Sequence, residues 1–391
     1  GEDPPQKLDR KVEEMNEREK GSSGRSAGEH QHLLDRREML KKAGVLGPAV
    51  LGLGAAAVPM IIPSSVLGKD AAVAPSNTVT LGVIGSGGKA RGGMQNFKGV
   101  PGVKILAVAD PIAQNREAGR ALAGIGEDSA YIDFRQLVDR DDIDAVLVGT
   151  PDHWHVLASL AVVRSGKDVY CEKPLSNTVA EGRALADAVK RYGAVFQHGT
   201  QLKSLDGTRR ACELVRNGYI GELEQITIGS PPGHATGLHG EQPVPDWLDY
   251  DLWLGPAPMK PYTPSRITAL PGWYFISDYS KAGWIAGYAV HDVDIAQWGM
   301  GAEYTGPVEV EGTGVFPAEG LFDTVLQYEL EFKYANGVKL VLTDTSKNRH
   351  GVKFEGTEGW VFTRGGIEVS DPALLQVELG PNDTHLYRSL N

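Results

Sequence analysis

Gly85-Ser86-Gly87-Gly88-Lys89-Ala90 follows the β-branched run of residues 78–84 and fits the pattern GxGxx(G/A). In a strand-to-helix turn of this kind the first glycine permits a tight turn and the second lets backbone approach a pyrophosphate. The small Ala90 lets the helix pack close on the strand. The phosphates would then lie on backbone N–H groups at the helix N-terminus. Taken alone, a glycine-rich turn is equally a structural feature. Asp110 sharpens the reading. It ends a second run, Val103–Ala109, 25 positions after Gly85, close to the spacing of the acid that accepts the ribose hydroxyls. A carboxylate there repels a 2′-phosphate, so NAD is favoured over NADP, with Arg116 near enough to moderate that preference. A helix N-cap is the plain structural alternative for Asp110.

Two further polar motifs follow apolar runs: Gly149-Thr150-Pro151-Asp152-His153-Trp154-His155 and Cys171-Glu172-Lys173-Pro174. Later come His291-Asp292-Val293-Asp294 and a loop over 229–271 rich in Pro, Gly, Trp and Tyr. Aromatics stack on the apolar faces of sugar rings, so Trp247, Tyr250, Trp253, Tyr262, Trp273 and Tyr274 suit carbohydrate. One or two of them, Trp273 and Tyr274 foremost, are assigned to substrate, and the rest to packing. His153, His155, His198, His234 and His239 invite a metal reading, but zinc needs convergent ligands and His153 and His155 merely flank Trp154 at a helix start. No metal is assigned. Cys171 reads as a buried packing residue rather than a nucleophile.

The elements that must position these residues alternate. Helical spacing over 134–140, 153–165 and 178–192 is interleaved with strand-like runs at 143–148, 167–171 and 194–198. Such alternation implies a doubly wound parallel sheet, in which ligands bind beyond the C-terminal ends of the strands. Both polar motifs sit at such ends. In the second half, residues 323–333 are strand-like, Asn336-Gly337 is a strong hairpin signal, 338–342 return, and 351–363 hold further short strands.

Three motifs together, the Gly85 loop, the Thr-Pro-x-x-x-His stretch ending at His155 and Glu172-Lys173-Pro174, make residues 78–390 resemble the Gfo/Idh/MocA family of nicotinamide-dependent sugar oxidoreductases, in particular its exported members. The resemblance extends to Leu252-Trp253-Leu254-Gly255-Pro256 and to His291-Asp292-Val293-Asp294. It implies a Rossmann domain followed by an open, mostly antiparallel sheet that covers the nicotinamide. It assigns cofactor contacts to Gly85, Ser86, Gly87, Gly88, Lys89, Asp110, Thr150, Pro151, His153, Trp154, His155, Glu172, Lys173 and Gln201. Lys173 would lie beside the nicotinamide and assist proton loss from the sugar hydroxyl, its pKa lowered by partial burial; a solvated strand-end lysine is the bland alternative. His291 would be the acid/base partner. The aspartate expected four residues before it is Gly287, which puts a simple Asp–His relay in doubt and leaves Asp292 or Asp294 to orient the ring. Asp294 is assigned to substrate, and a core role for His291 stays open. A homo-oligomer is implied as well.

Composition bounds the rest. The 391 residues carry 41% hydrophobic and 23% charged side chains, which excludes a disordered or polytopic membrane chain. Their net charge of −11 argues against nucleic-acid binding, and two cysteines provide no disulfide framework. Arg36-Arg37 precedes an uncharged, glycine-containing stretch over 43–62. This reads as a signal for the twin-arginine export machinery, cut near Ala57, with a membrane anchor as the alternative. The expected organisation is an extension with signal (1–57), a linker (58–77), an NAD-binding domain (78–201) and a substrate-binding α+β domain (202–391). Gly1 in place of Met and the stop at Asn391 suggest a fragment that lacks both natural ends. The expected function is hydride transfer from a sugar or glycoside CH–OH group to tightly held NAD, in the periplasm. Alternatives are a redox-neutral NAD-dependent glycosidase and a non-catalytic carbohydrate-binding protein.

Overall fold

A computed structural model describes residues 77–387. The export signal, its cleavage site and all but the last residue of the expected 58–77 linker lie outside the described residues. Among those described, no helix is long and apolar enough to cross a membrane.

The apolar runs become the six strands β1 (Val79–Ile84), β2 (Val103–Ala109), β3 (Ala130–Tyr131), β4 (Ala145–Val148), β5 (Asp168–Cys171) and β6 (Phe196–His198). They pair in the order β3-β2-β1-β4-β5-β6, all parallel. Residues on β1 and β4 are buried to their last positions because helices cover both faces. Register does the positioning. Ile84 pairs with Ala109 and Val148, and Cys171 pairs with Val148 and His198. The strand ends therefore line up, and the residues that follow them, Gly85, Asp110, Gly149 and Glu172, form one rim.

Helices α1 (Gly88–Lys98), α2 (Ala113–Ala123), α3 (Phe134–Val138), α4 (His155–Arg164) and α5 (Val179–Tyr192) connect the strands. Helix α5 starts with a reciprocal capping box between Thr178 and Glu181, which satisfies orphan donors at its N-terminus. Helix α3 stops two residues short of the expected 140, at a turn closed by Asp139 N–H to the Arg135 carbonyl.

The second sheet contains β7 (Leu223–Ser230), β8 (Glu309–Val315), β9 (Gln327–Lys333), β10 (Lys339–Asp344), β11 (Gly351–Gly356), β12 (Gly359–Thr363) and β13 (Ile367–Val369). Its order is β13-β12-β11-β7-β10-β9-β8, and only the β7–β10 pair is parallel. The Asn336-Gly337 hairpin joins β9 to β10, with Gly337 at φ +88°. Helices α6 (Asp206–Arg216) and α7 (Val290–Met300) bury Ala211, Leu214, Ile295 and Ala296 against Ile226, Leu340, Val352 and Phe354 of this sheet. Between β7 and α7 the aromatic-rich loop packs on itself around Trp253, Phe275, Tyr279 and Trp284. It docks on the first domain where Ala113 N–H donates to the Trp247 carbonyl at 2.9 Å and Asp249 N–H to the Pro111 carbonyl at 3.1 Å. That contact lays the loop beside the rim.

Candidate active site

A cavity of about 490 Å³ opens between the rim and the aromatic loop. Gly85, Gly87, Gly88 and Lys89 line it, as do Asp110, Thr150, Pro151, Trp154, Glu172 and Lys173. Gly85 has φ +77°, and a Cβ there would meet the Thr150 nitrogen at 2.7 Å. Only glycine fits both demands. At Gly87 and Gly88 a Cβ would meet nothing within 4 Å, so the backbone of the helix N-terminus faces open space.

Asp110 is buried beside this space. Its two carboxylate oxygens accept from Ser86 N–H at 2.8 Å and Ile112 N–H at 2.9 Å. Burial pushes its pKa up to about 6, against the pull of those donors and of Arg116. Arg116 Nη1 donates to the Asp110 carbonyl at 2.7 Å. Ser86 faces inward. Its hydroxyl donates to the Asn115 carbonyl at 2.8 Å, so it supports Asp110 rather than lining the cavity. The Thr150 hydroxyl and one Glu172 oxygen are buried at the cavity without a hydrogen-bond partner. Unpaired polar atoms beside an open helix N-terminus and a buried carboxylate suit a dinucleotide.

His153 and His155 lie beneath this lining. His153 Nε2 contacts the Trp253 carbonyl at 3.1 Å, the oxygen that also accepts from Trp154 Nε1–H at 3.0 Å. His155 spans the Pro174 and Thr150 carbonyls through its two ring nitrogens, at 2.6 and 3.0 Å. Burial lowers both imidazoles to about 4. His155 thereby ties the two strand-end turns together, while His153 ties the first of them to the aromatic loop. Gln201 is exposed and stands outside the cavity lining.

Lys173 reaches across to the second domain. Its Nζ donates to the Gly287 carbonyl and contacts Tyr274 Oη at 3.4 Å, with the Tyr274 ring centroid 5.0 Å away. Residues Ile285–Ala289 form a π-turn before α7, a widening that occurs often at functional sites. A backbone carbonyl thus stands where an aspartate side chain was expected. Burial lowers the Lys173 pKa, while the charges of Asp152 and Glu172 hold it up. Asp152 is itself buried. One oxygen accepts from Ser280 Oγ at 2.7 Å and the other has no partner, and burial raises its pKa to about 7.

His291 is buried at the start of α7, with Nδ1 unpartnered. Burial, helped by the charges of Lys173 and Arg364, lowers it to about 3. Neither Asp292 nor Asp294 hydrogen-bonds it. Asp294 pairs with Lys203 at 3.3 Å and lies outside the cavity lining. Trp273 and Tyr274 line the cavity, stacked with ring centroids 3.8 Å apart. Tyr250 and Tyr262 are packing residues. Asp152, Ser280, Trp284 and Tyr288 went unread in the sequence. Asp152 had a signal, its place in the Thr150-Pro151 turn, while Ser280 had none.

Comparison with known proteins follows the two-domain division. Residues 79–200 match the GFO_IDH_MocA model, described as an oxidoreductase family with NAD-binding Rossmann fold. Residues 217–380 match its C-terminal alpha/beta domain. A glycosyl hydrolase family 109 protein of Solibacter usitatus is 32% identical over 203 residues, 48% of this chain and 44% of the relative. A levoglucosan dehydrogenase of Pseudarthrobacter phenanthrenivorans is 31% identical over 124 residues, 32% of this chain and 31% of the relative. A solved levoglucosan dehydrogenase, complexed with NADH and levoglucosan, superposes with a TM-score of 0.56 at 20% identity, covering 76% of this chain and 78% of that one. The chain spans less than half the length of the first curated relatives it matches.

Proposed function

We propose that this chain, which belongs to the Gfo/Idh/MocA oxidoreductase family, oxidises a CH–OH group of a sugar or glycoside by hydride transfer to NAD. The observation that carries the reading is Lys173, a buried lysine of lowered pKa on the same cavity as the Gly85 loop and Asp110. NAD, when bound, supplies the hydride acceptor. The backbone at Gly87 and Gly88 would hold its phosphates, Asp110 its ribose diol, and Thr150 and Glu172 its remaining polar groups.

The rest is the work of this chain's own side chains. Neutral Lys173 takes the proton of the sugar hydroxyl as the carbonyl forms and the hydride leaves carbon. The Gly287 carbonyl and Tyr274 hydroxyl fix its Nζ in place. Trp273 and Tyr274 offer faces for the sugar ring, and the aromatic loop excludes water, which strengthens the electrostatics inside. The test is to identify the nucleotide released from purified protein by mass and to screen sugars for absorbance of the reduced cofactor. Absence of both nucleotide binding and reduction overturns the reading.

The relative named as a glycosyl hydrolase supports a second reading, in which the hydride returns to the same sugar after bond cleavage. Sugar release from a glycoside without net cofactor reduction distinguishes it. Export is proposed on Arg36 and Arg37 and the uncharged stretch over 43–62 that follows them. Replacing both arginines by Lys should hold the precursor inside the cell, and unchanged accumulation outside would overturn that proposal.

A further inference from the structure

Beyond Tyr288, whose ring lines the cavity, stands a polar group that the hydride step does not use. Arg364 directly follows β12 and His350 directly precedes β11, and the pairing of Val352 with Thr363 brings the two to one end of the sheet. Asp292, next to His291 in α7, completes the group. It is 0% exposed, and neither of its oxygens has a hydrogen-bond partner. Arg364 Nε lies 3.7 Å from one oxygen and His350 Nε2 3.8 Å from the other. Arg364 Nε–H instead donates to His350 Nε2 at 3.0 Å, and the guanidinium stands 5.6 Å over the Tyr288 ring.

The guanidinium is therefore held from behind, at Nε, by His350 and by the field of Asp292. Among the described residues neither Nη nitrogen has an acceptor. An arginine side chain fixed along one edge presents the other as a rigid pair of donors, a geometry that matches a planar carboxylate. The guanidinium stands next to the reaction centre through Tyr288, which lines the cavity and directly follows Gly287, whose carbonyl accepts from Lys173 Nζ. Asp292 stays beyond hydrogen-bond reach, so it offsets part of the charge without occupying the donors.

We propose that Arg364, backed by His350 and Asp292, binds a carboxylate on the substrate, which makes the sugar an acidic one, a uronate or its glycoside. This rests on the sugar-oxidising reading above. The test uses the NAD-saturated full chain and calorimetric binding of D-glucuronate and D-galacturonate against D-glucose and D-galactose, with reduction of the cofactor followed in parallel. The acidic sugars should bind at least about tenfold more tightly than their neutral parents, and Arg364→Gln should bring that ratio close to one. If Arg364→Gln misfolds because it strands Asp292, the pair Arg364→Gln/Asp292→Asn removes both charges and should show the same loss of preference. A ratio near one in the unaltered chain, or one unchanged in these variants, overturns the proposal and leaves neutral-sugar oxidation standing. Failure to bind or oxidise either class counts against both readings. Tighter binding of glucose 6-phosphate than of glucuronate identifies the anion as phosphate and overturns the carboxylate assignment.

Discussion

Lys173 is an amine carried into a largely dry site, where burial favours its neutral form, and the groups it touches directly are neutral: a carbonyl and a phenol. Its negative partners, Asp152 and Glu172, act through the field. Removing Lys173 should therefore spare the dinucleotide cradle and damage the proton step. Lys173→Ala is expected to keep NAD but lose turnover by ~10²–10⁴-fold. Lys173→Arg should not rescue it, because a guanidinium stays protonated and cannot act as base. Full activity of Lys173→Ala on a verified substrate would sink the mechanism. His291 poses a different question, since it is buried with one ring nitrogen unpaired. If it serves the reaction, His291→Ala should cost a similar factor in turnover with little loss of melting temperature. A core role would reverse the pattern, with a drop of several degrees for roughly 1–3 kcal/mol and turnover retained. Both quantities are to be measured on one preparation.

At the scale of elements, the site depends on how closely two backbones approach. Gly149 follows β4, and a Cβ on it would lie 2.6 Å from the Cβ of Ala90 in α1. Gly85 presses on Thr150 in the same way. Gly85→Ala must adopt positive φ and push the Thr150 turn away, at a cost of order 1–3 kcal/mol. It should also weaken NAD binding far more than sugar binding, because it moves the rim that faces the phosphates. Equal affinity for NAD in calorimetry would contradict that. Much at this scale was legible in the sequence. Strands buried on both faces are continuous apolar runs, as Val103–Ala109 is, and Asn336-Gly337 carries its own turn geometry. Strand β8 was not legible because every residue in Glu309–Val315 is exposed and two are glycines, so no apolar alternation marks it. Within the site, the glycines, Asp110, Thr150 and Lys173 could be read because local motifs hold them. The Gly287 carbonyl could not, since a backbone partner 114 residues from its lysine leaves no trace in side-chain identity. Ser86, His155 and Gln201 show the converse. A motif names the neighbourhood of a cofactor but does not say which members face it and which brace the others.

For the whole molecule, the buried titratable groups set how stability responds to pH. Four histidines, His153, His155, His198 and His291, have folded pKa values pushed down by burial from 6.5 to about 4, and to about 3 for His291. The unfolded chain protonates them first, so the stability they permit is present above about pH 6.5 and lost as pH falls toward 4. Buried acids work in the opposite sense. Asp110 is raised from 3.8 to about 6 and Asp152 from 3.8 to about 7, and burial raises Glu172 as well. These groups take up protons in the folded state first, so acidification through their folded pKa values relieves buried charge and stabilises the fold. The histidines are the more numerous, four against three acids, and only Asp152 shifts further than the three that fall to about 4. Over the window from about pH 7 to pH 4 the unfolded chain therefore binds more protons, and stability should fall with pH. Melting followed by circular dichroism should show a lower transition at about pH 5 than at about pH 7.5. Asp152→Asn deletes one of the opposing groups, so it should melt higher than the unaltered chain at the alkaline end and show a steeper loss toward acid. A transition that rises on acidification would mean that the buried carboxylates govern the balance, whereas a shallower slope in Asp152→Asn would mean that Asp152 stays ionised beside Lys173 throughout the working range.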